Sequence, residues 1–280
     1  MKMRVVNNTL PFKQFCQFSI CVVSTVLATE LWSDEVKVYF SNDSMNGFQL
    51  SDAYETHNMG LSMTLKDITY AIDLGIVSPD MHVYKNQYRV ANRSYGEIVS
   101  VSVGSSNPNN YGMTYSLEMK AIGKFGLDKA QAFAHEVFGL QEIRKINDIV
   151  RMPDQNYFGL RFTKNFEEFG LTETVYAKPS GELYLGTDTS SLELKLGSKR
   201  QFKSFSVSGS MSVKYVAYDK IVSAPPINAK VRSVIPSITL GYSQQFNDVE
   251  LQISEIISLP TIESDNRIYA KLFAGIEYKF

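Results

Sequence analysis

The 280-residue sequence predicts an all-β protein, a closed antiparallel transmembrane barrel of about twelve strands, and three observations carry that reading. Apolar and polar side chains alternate with period two along most of the chain. An uncharged apolar run follows basic residues near the start. The chain ends in an aromatic residue, Phe280, in the apolar series of its last alternating segment.

The N-terminal region reads as an export signal. Lys2, Arg4 and Lys13 precede the charge-free run FCQFSICVVSTVLA, residues 15–28, and Glu30 follows it. The apolar run of about 14 residues falls short of the ~20 that a spanning helix needs. Val26-Leu27-Ala28 offers the small residues that signal cleavage requires. Residues 1–28 are therefore expected to be a signal peptide, and residues 29–280 the barrel domain. Cys16 and Cys21, the only two cysteines, lie inside the signal, and Ile20 before Cys21 is too large for a lipidation site. A disulfide framework and a cysteine-ligated metal are excluded. Lys and Arg total 28 against 29 Asp and Glu, so no basic field favours nucleic acid. Removing three cations with the signal takes the net charge from −1 to −4.

After residue 30 no stretch approaches the ~18 consecutive apolar residues of a membrane helix. Strand alternation takes its place. At the C-terminus Ile268, Ala270, Leu272, Ala274, Ile276, Tyr278 and Phe280 form one series, while Arg267, Lys271, Glu277 and Lys279 fall in the other. Met113, Tyr115, Leu117, Met119 and Ala121 alternate with Thr114, Ser116, Glu118 and Lys120. Phe205, Val207, Met211 and Val213 do so against Ser204, Ser206, Ser208 and Ser210, as do Met59, Leu61, Met63 and Leu65 against Asn58, Ser62, Thr64 and Lys66. Turn clusters such as residues 105–110, Pro179-Ser180-Gly181 and Ala224-Pro225-Pro226 separate the segments.

A soluble sandwich alternates too, so the choice of a membrane barrel rests on further features. The polar series is rich in Ser, Thr, Lys and Glu, as a wet lumen demands. Aromatics near segment ends, Tyr39-Phe40, Tyr157-Phe158 and Tyr278 with Phe280, fit interfacial girdles. With an export signal, this pattern implies the outer membrane of a Gram-negative bacterium. Closure follows from lipid, which leaves an open sheet edge unpaired.

One segment breaks the alternation. Residues 127–147, LDKAQAFAHEVFGLQEIRKIN, read as a short helix with Asp128 as N-cap. Gln131 and His135 are four apart and share a helix face. His57, His82 and His135 are the chain's three histidines, and a lone histidine also reads as a hydrogen-bonded structural residue.

The ordered set of motifs resembles a known family. The strand Val36–Ser41 runs into Asn42-Asp43, and a Thr- and Asn-containing segment, residues 52–61, ends in Gly60-Leu61. Ser78-Pro79 comes next, then Gln131-x-x-x-His135-x-x-x-Gly139. Together they resemble the lipid A 3'-O-deacylases of the outer membrane (LpxR type). The resemblance implies a twelve-stranded barrel whose rim-level, calcium-dependent site removes an acyloxyacyl chain from lipid A, the substrate partner alongside outer-membrane lipid, in a monomer.

Ester hydrolysis needs a base for water and a charge acceptor for the tetrahedral oxyanion. His135 suits the base and Gln131 its positioning. Asp43 is a hard oxygen ligand for Ca2+, and the Asn42 amide can donate to the oxyanion. By themselves Asn42-Asp43 also read as an ordinary turn. The family's threonine two residues before the strand-two glycine is Asn58 here, with Thr56 two residues further upstream, so either fills that role. By parity Thr56, Asn58 and Gly60 share the lumenal series. Lys85 matches the family's loop lysine with a one-residue offset. The loop 84–93, with Lys85 and Arg89 as cations and no acid, suits lipid A phosphates or is a solvated loop. No serine stands in a nucleophile motif such as G-x-S-x-G. The alternatives are a phospholipase-type outer-membrane hydrolase and a non-enzymatic porin or structural barrel.

Overall fold

The computed structural model describes residues 34–42, 54–78, 81–83, 89–91, 94–127, 151–172, 175–226, 228–259, 262–263 and 268–279. Its strands, in chain order, are β1 Glu35–Asn42, β2 Tyr54–Leu65, β3 Ile68–Ser78, β4 Met81–Val83 and β5 Arg89–Ala91. Then come β6 Gly96–Ser105, β7 Met113–Gly123, β8 Gln155–Asn165, β9 Phe169–Thr172 and β10 Val175–Gly186. The last five are β11 Thr189–Gln201, β12 Phe205–Asp219, β13 Val234–Phe246, β14 Val249–Ser258 and β15 Tyr269–Lys279.

All wall pairings are antiparallel, and twelve strands close the ring as the alternation predicted. The first strand meets the last, with Glu35 opposite Lys279 and Asn42 opposite Leu272. Opposite that seam β10 pairs with β11, so no edge is left for lipid to strip of hydrogen bonds. β9 adds no wall position: it continues the β8 side of β10, pairing at Val175–Ala177 where β8 pairs from Ser180 to Gly186. The small β4–β5 hairpin stands apart, and it makes strand of part of the segment 84–93, which the sequence presents as a loop.

Lipid decides which series faces out. In β7 Tyr115, Leu117 and Met119 are about half exposed while Glu118 between them is buried, the inverse of a soluble sheet. Val207, Met211 and Val213 of β12, and Ile276 and Tyr278 of β15, repeat the pattern against buried Ser206, Ser212 and Glu277. An apolar belt of this extent is stable only in a bilayer. Strands of 11 to 13 residues, such as β3, β7, β11 and β13, match the ~9–11 residues needed to cross with tilt. Among the described residues no helix is long and apolar enough to cross a membrane.

Two sequence expectations are corrected. Pro179-Ser180-Gly181 is not a turn but the middle of β10. Proline lacks the N–H that a ladder requires, and Pro179 sits where the neighbour of β10 changes from β9 to β8, so no bond to that side is lost. The girdle reading holds for Phe158 and Tyr278, which are exposed, but Tyr157 is buried and Tyr39 packs over Gly60.

Short connections gather at the end that holds Glu35 and Lys279, and most long connections at the other. At the long-connection end the lumen is filled by Val77, Ile122, Met152, Tyr157 and Ala224, with Ile98 and Ile221 packed against them. Gly96 makes room for this cap, since a β-carbon there would meet the Met152 sulfur at 2.9 Å.

Candidate functional site

The residues nominated by sequence divide into those the structure describes and those it does not. Asp43, Lys85, Gln131 and His135 lie outside the described residues, as does the expected helix beyond Leu127. Arg89 opens β5 opposite Val83. Asn42 ends β1 in register with His57 on one side and Leu272 on the other. Asn58 lies in the next register row, opposite Ser41 and Gly75. Successive rows of a pleated wall address opposite faces, so the rows of Asn42 and Asn58 serve different sides of the barrel.

Thr56 occupies a bulge. Glu55 pairs with Val77 and His57 with Ile76, leaving Thr56 without a partner on β3. An extra residue interrupts the alternation, so the parity that joined Thr56 to Asn58 does not carry across it.

Asn58 faces the lumen, where its Oδ1 is buried without a hydrogen-bond partner in the described structure. Oδ1 of Asp73 is in the same state, while Asp73 Oδ2 accepts a bond from Ser100 Oγ at 3.4 Å. In the register row of Asp73, through Ser100, lies Lys120, and charged residues around it form a connected layer. Lys120 Nζ reaches Asp188 Oδ2 at 2.8 Å, Glu118 Oε1 at 3.5 Å and the Tyr184 hydroxyl at 3.2 Å. Arg161 bridges Glu118 and Glu182 at 3.3 and 2.5 Å. Cap and charged layer occupy the lumen at successive levels, above a polar cavity of about 580 Å³ at the short-turn end lined by Lys178, Lys195, Lys199 and several serines.

The most fully satisfied acid lies in a series that sequence reasoning passed over. In β6 the residues Val99, Val101 and Val103 belong to the outward series, and Glu97 continues it toward the long-connection end. A carboxylate there is costly unless covered and paired, and Glu97 is 0% exposed. Its Oε2 accepts the backbone N–H groups of Phe125 at 2.6 Å and Leu127 at 3.0 Å. Its Oε1 accepts Arg151 Nη2 at 3.1 Å and the Tyr95 hydroxyl at 3.2 Å. Arg151 also donates to the Gly123 carbonyl at 3.2 Å and stacks its guanidinium 5.3 Å from the Tyr95 ring centre. The legible signal was an acid standing where the valine series demands an apolar residue.

Glu97 is tied to Asn42 by register. Asn42 pairs with His57, His57 with Ile76, and Ile76 with Glu97, one row across the adjacent strands β1, β2, β3 and β6. Three strand spacings put their backbones about 14 Å apart along the wall. Two strands the other way, Glu255 shares the row through Leu272, and its Oε1 is buried without a partner. Among the described residues no group of three or more His, Cys, Asp or Glu is placed to hold a metal. The residue expected to bind calcium, Asp43, lies outside them.

A closed twelve-stranded barrel with an apolar outer belt and a polar, occupied lumen defines a transmembrane β-barrel of the kind found in bacterial outer membranes. No protein-family model matches the sequence, and no curated protein matches it. Among solved structures the chain is similar to LpxR from Salmonella typhimurium, with TM-score 0.68 and 12% identity over 88% of this chain and 100% of that one. It also matches the β domain of the Bordetella autotransporter BrkA, with TM-score 0.48 and 12% identity over 89% and 99% of the two chains. The KdgM porin in complex with disordered oligogalacturonate gives 0.41 and 7% over 88% and 99%.

Proposed function

We propose that this protein is an outer-membrane ester hydrolase that deacylates lipid A, releasing the 3'-linked acyloxyacyl group. The observation that carries the reading is the Glu97 cluster. It ties both ends of the connection bearing Gln131 and His135 to the wall, in the register row that ends β1 at Asn42. The full-length likeness to LpxR supports the same reading.

In this reading the His135 imidazole takes a proton from water, whose oxygen attacks the acyl carbonyl carbon. The Asn42 amide donates to the oxyanion that forms, and Gln131 holds His135 or the substrate in place. The acyl carbon–oxygen bond then breaks, the fatty acid leaves as carboxylate and the sugar hydroxyl regains a proton. Asp43 would hold calcium, which when bound supplies positive charge beside the reacting ester. Lys85 and Arg89 would meet the phosphates of lipid A.

The porin alternative calls for a water-filled lumen, whereas the lumen here holds an apolar cap and an ion-paired layer. Mass spectrometry of lipid A from cells with and without the gene tests the reading. Loss of one acyloxyacyl group only when the gene is present is expected, and identical spectra would overturn it.

A further inference from the structure

We infer that Glu97 is a positioning residue that locks both ends of the connection 124–154 to the barrel wall and thereby sets the place of the catalytic groups it carries. The inference rests on the hydrolase reading for its catalytic consequence, but its structural half stands on described residues alone.

Glu97 gathers donors from three stretches of chain. Phe125 and Leu127 lie just before residues 128–150, Arg151 lies just after them, and Tyr95 belongs to the segment that leads into β6. One side chain therefore fixes where the connection leaves the wall and where it returns. Two of the donors are backbone N–H groups just past the end of β7, and a carboxylate that accepts backbone N–H groups forms charge-assisted bonds stronger than neutral ones. The return side is fixed twice more, by Met152 N–H on the Tyr95 carbonyl at 2.7 Å and by Arg151 on the Gly123 carbonyl. A residue needed only for barrel closure would bond along the strand ladder. These bonds go instead to the connection, and the ladder of β6 is complete without them. A hydrocarbon side chain at this position would remove the bonds to Phe125, Leu127, Arg151 and Tyr95 together, leaving the outgoing end without them and the return end on the Met152 and Gly123 bonds alone.

Two variants of the full-length protein in detergent micelles, Glu97→Gln and Arg151→Gln, test the inference with three readouts. Heat-modifiable gel mobility reports the barrel, chymotrypsin cleavage within 128–150 reports the connection, and fatty-acid release from lipid A gives kcat and KM separately. The expected result is an unchanged barrel and faster cleavage than in the parent protein. With it, kcat falls about tenfold or more at nearly constant KM, the mark of misplaced catalytic groups. Unchanged cleavage and unchanged kcat in both variants would overturn the inference. If Glu97→Gln fails to assemble, Arg151→Gln decides alone, since it keeps the carboxylate and its two backbone donors. If the parent protein releases no fatty acid, the hydrolase reading falls by itself. Cleavage then decides the lock, faster cutting supporting it and equal cutting refuting it.

Discussion

The Tyr184 side chain lies over Gly159 of the neighbouring strand, so close that a β-carbon on the glycine would overlap the phenol ring and its hydroxyl. The same hydroxyl donates to Asp188 Oδ1 at 3.1 Å and accepts from Lys120. Gly159→Ala must therefore push Tyr184 out of the charged layer. Such overpacking typically costs about 1–3 kcal/mol. Urea unfolding in lipid vesicles should show a lower midpoint for Gly159→Ala, with Gly181→Ala as control. A β-carbon at Gly181 meets Leu194 Cδ2, the Glu193 carbonyl oxygen and Phe166 Cε2 at 3.5, 3.8 and 3.9 Å, ordinary contact distances.

The Lys120–Asp188 pair makes a second prediction. Asp188 is fully buried and Lys120 partly buried, which makes removal of one partner worse than removal of both. Asp188→Leu should destabilise the barrel by about 3–5 kcal/mol, whereas Lys120→Met combined with Asp188→Leu should recover much of that loss. A double-mutant cycle by urea unfolding reads the coupling directly, and strictly additive losses would contradict it.

Lumen filling predicts electrical behaviour. With Val77, Ile98, Ile122, Met152 and Tyr157 packed at one end of the lumen and the Arg161 and Lys120 ion pairs also inside it, the described side chains narrow the route open to hydrated ions. Planar bilayers holding the protein should lack steady ohmic steps of the size that open porins give.

The alternation of Met113 to Ala121 and of Phe205 to Val213 made the wall legible, because lipid outside and water inside impose opposite chemistry on successive residues. What sequence could not supply were facts that depend on pairing between distant strands. Lys120 finds Asp188 only because β7 and the β10–β11 turn meet at the same level of the lumen, 68 residues apart in the chain. Thr56 is a local case of the same limit: the bulge that separates it from the parity of Asn58 is visible only against β3. Glu97 broke a valine series in plain sight, yet its meaning needed Arg151, 54 residues away.

Calcium dependence follows from the proposed site. Chelation should abolish release of fatty acid from lipid A, and added calcium should restore it, because a hard cation offsets the oxyanion charge. Asp43→Ala should behave like the chelated protein while keeping its heat-modifiable mobility. Full activity in excess chelator would exclude the mechanism.

His135 separates a hydrolase from a barrel that only carries a polar connection. As general base its imidazole must be neutral, so the rate should fall as pH drops through its pKa and level off above it. His135→Ala should lose on the order of a hundredfold in rate, within the ~10²–10⁴ typical of general-base catalysis, and the loss should be in kcat. Gln131→Ala should cost less, since it orients without moving a proton. The comparison needs internal controls, and His57 and His82 supply them: His57 lies in β2 in register with Asn42, and His82 in the β4–β5 hairpin. Replacing either by alanine should leave the acid limb of the pH profile in place, because neither is the base. Only His135→Ala should remove that limb as well as the rate. If the His135→Ala barrel assembles and releases fatty acid at the parent rate, the base is elsewhere and the hydrolase assignment of this connection fails.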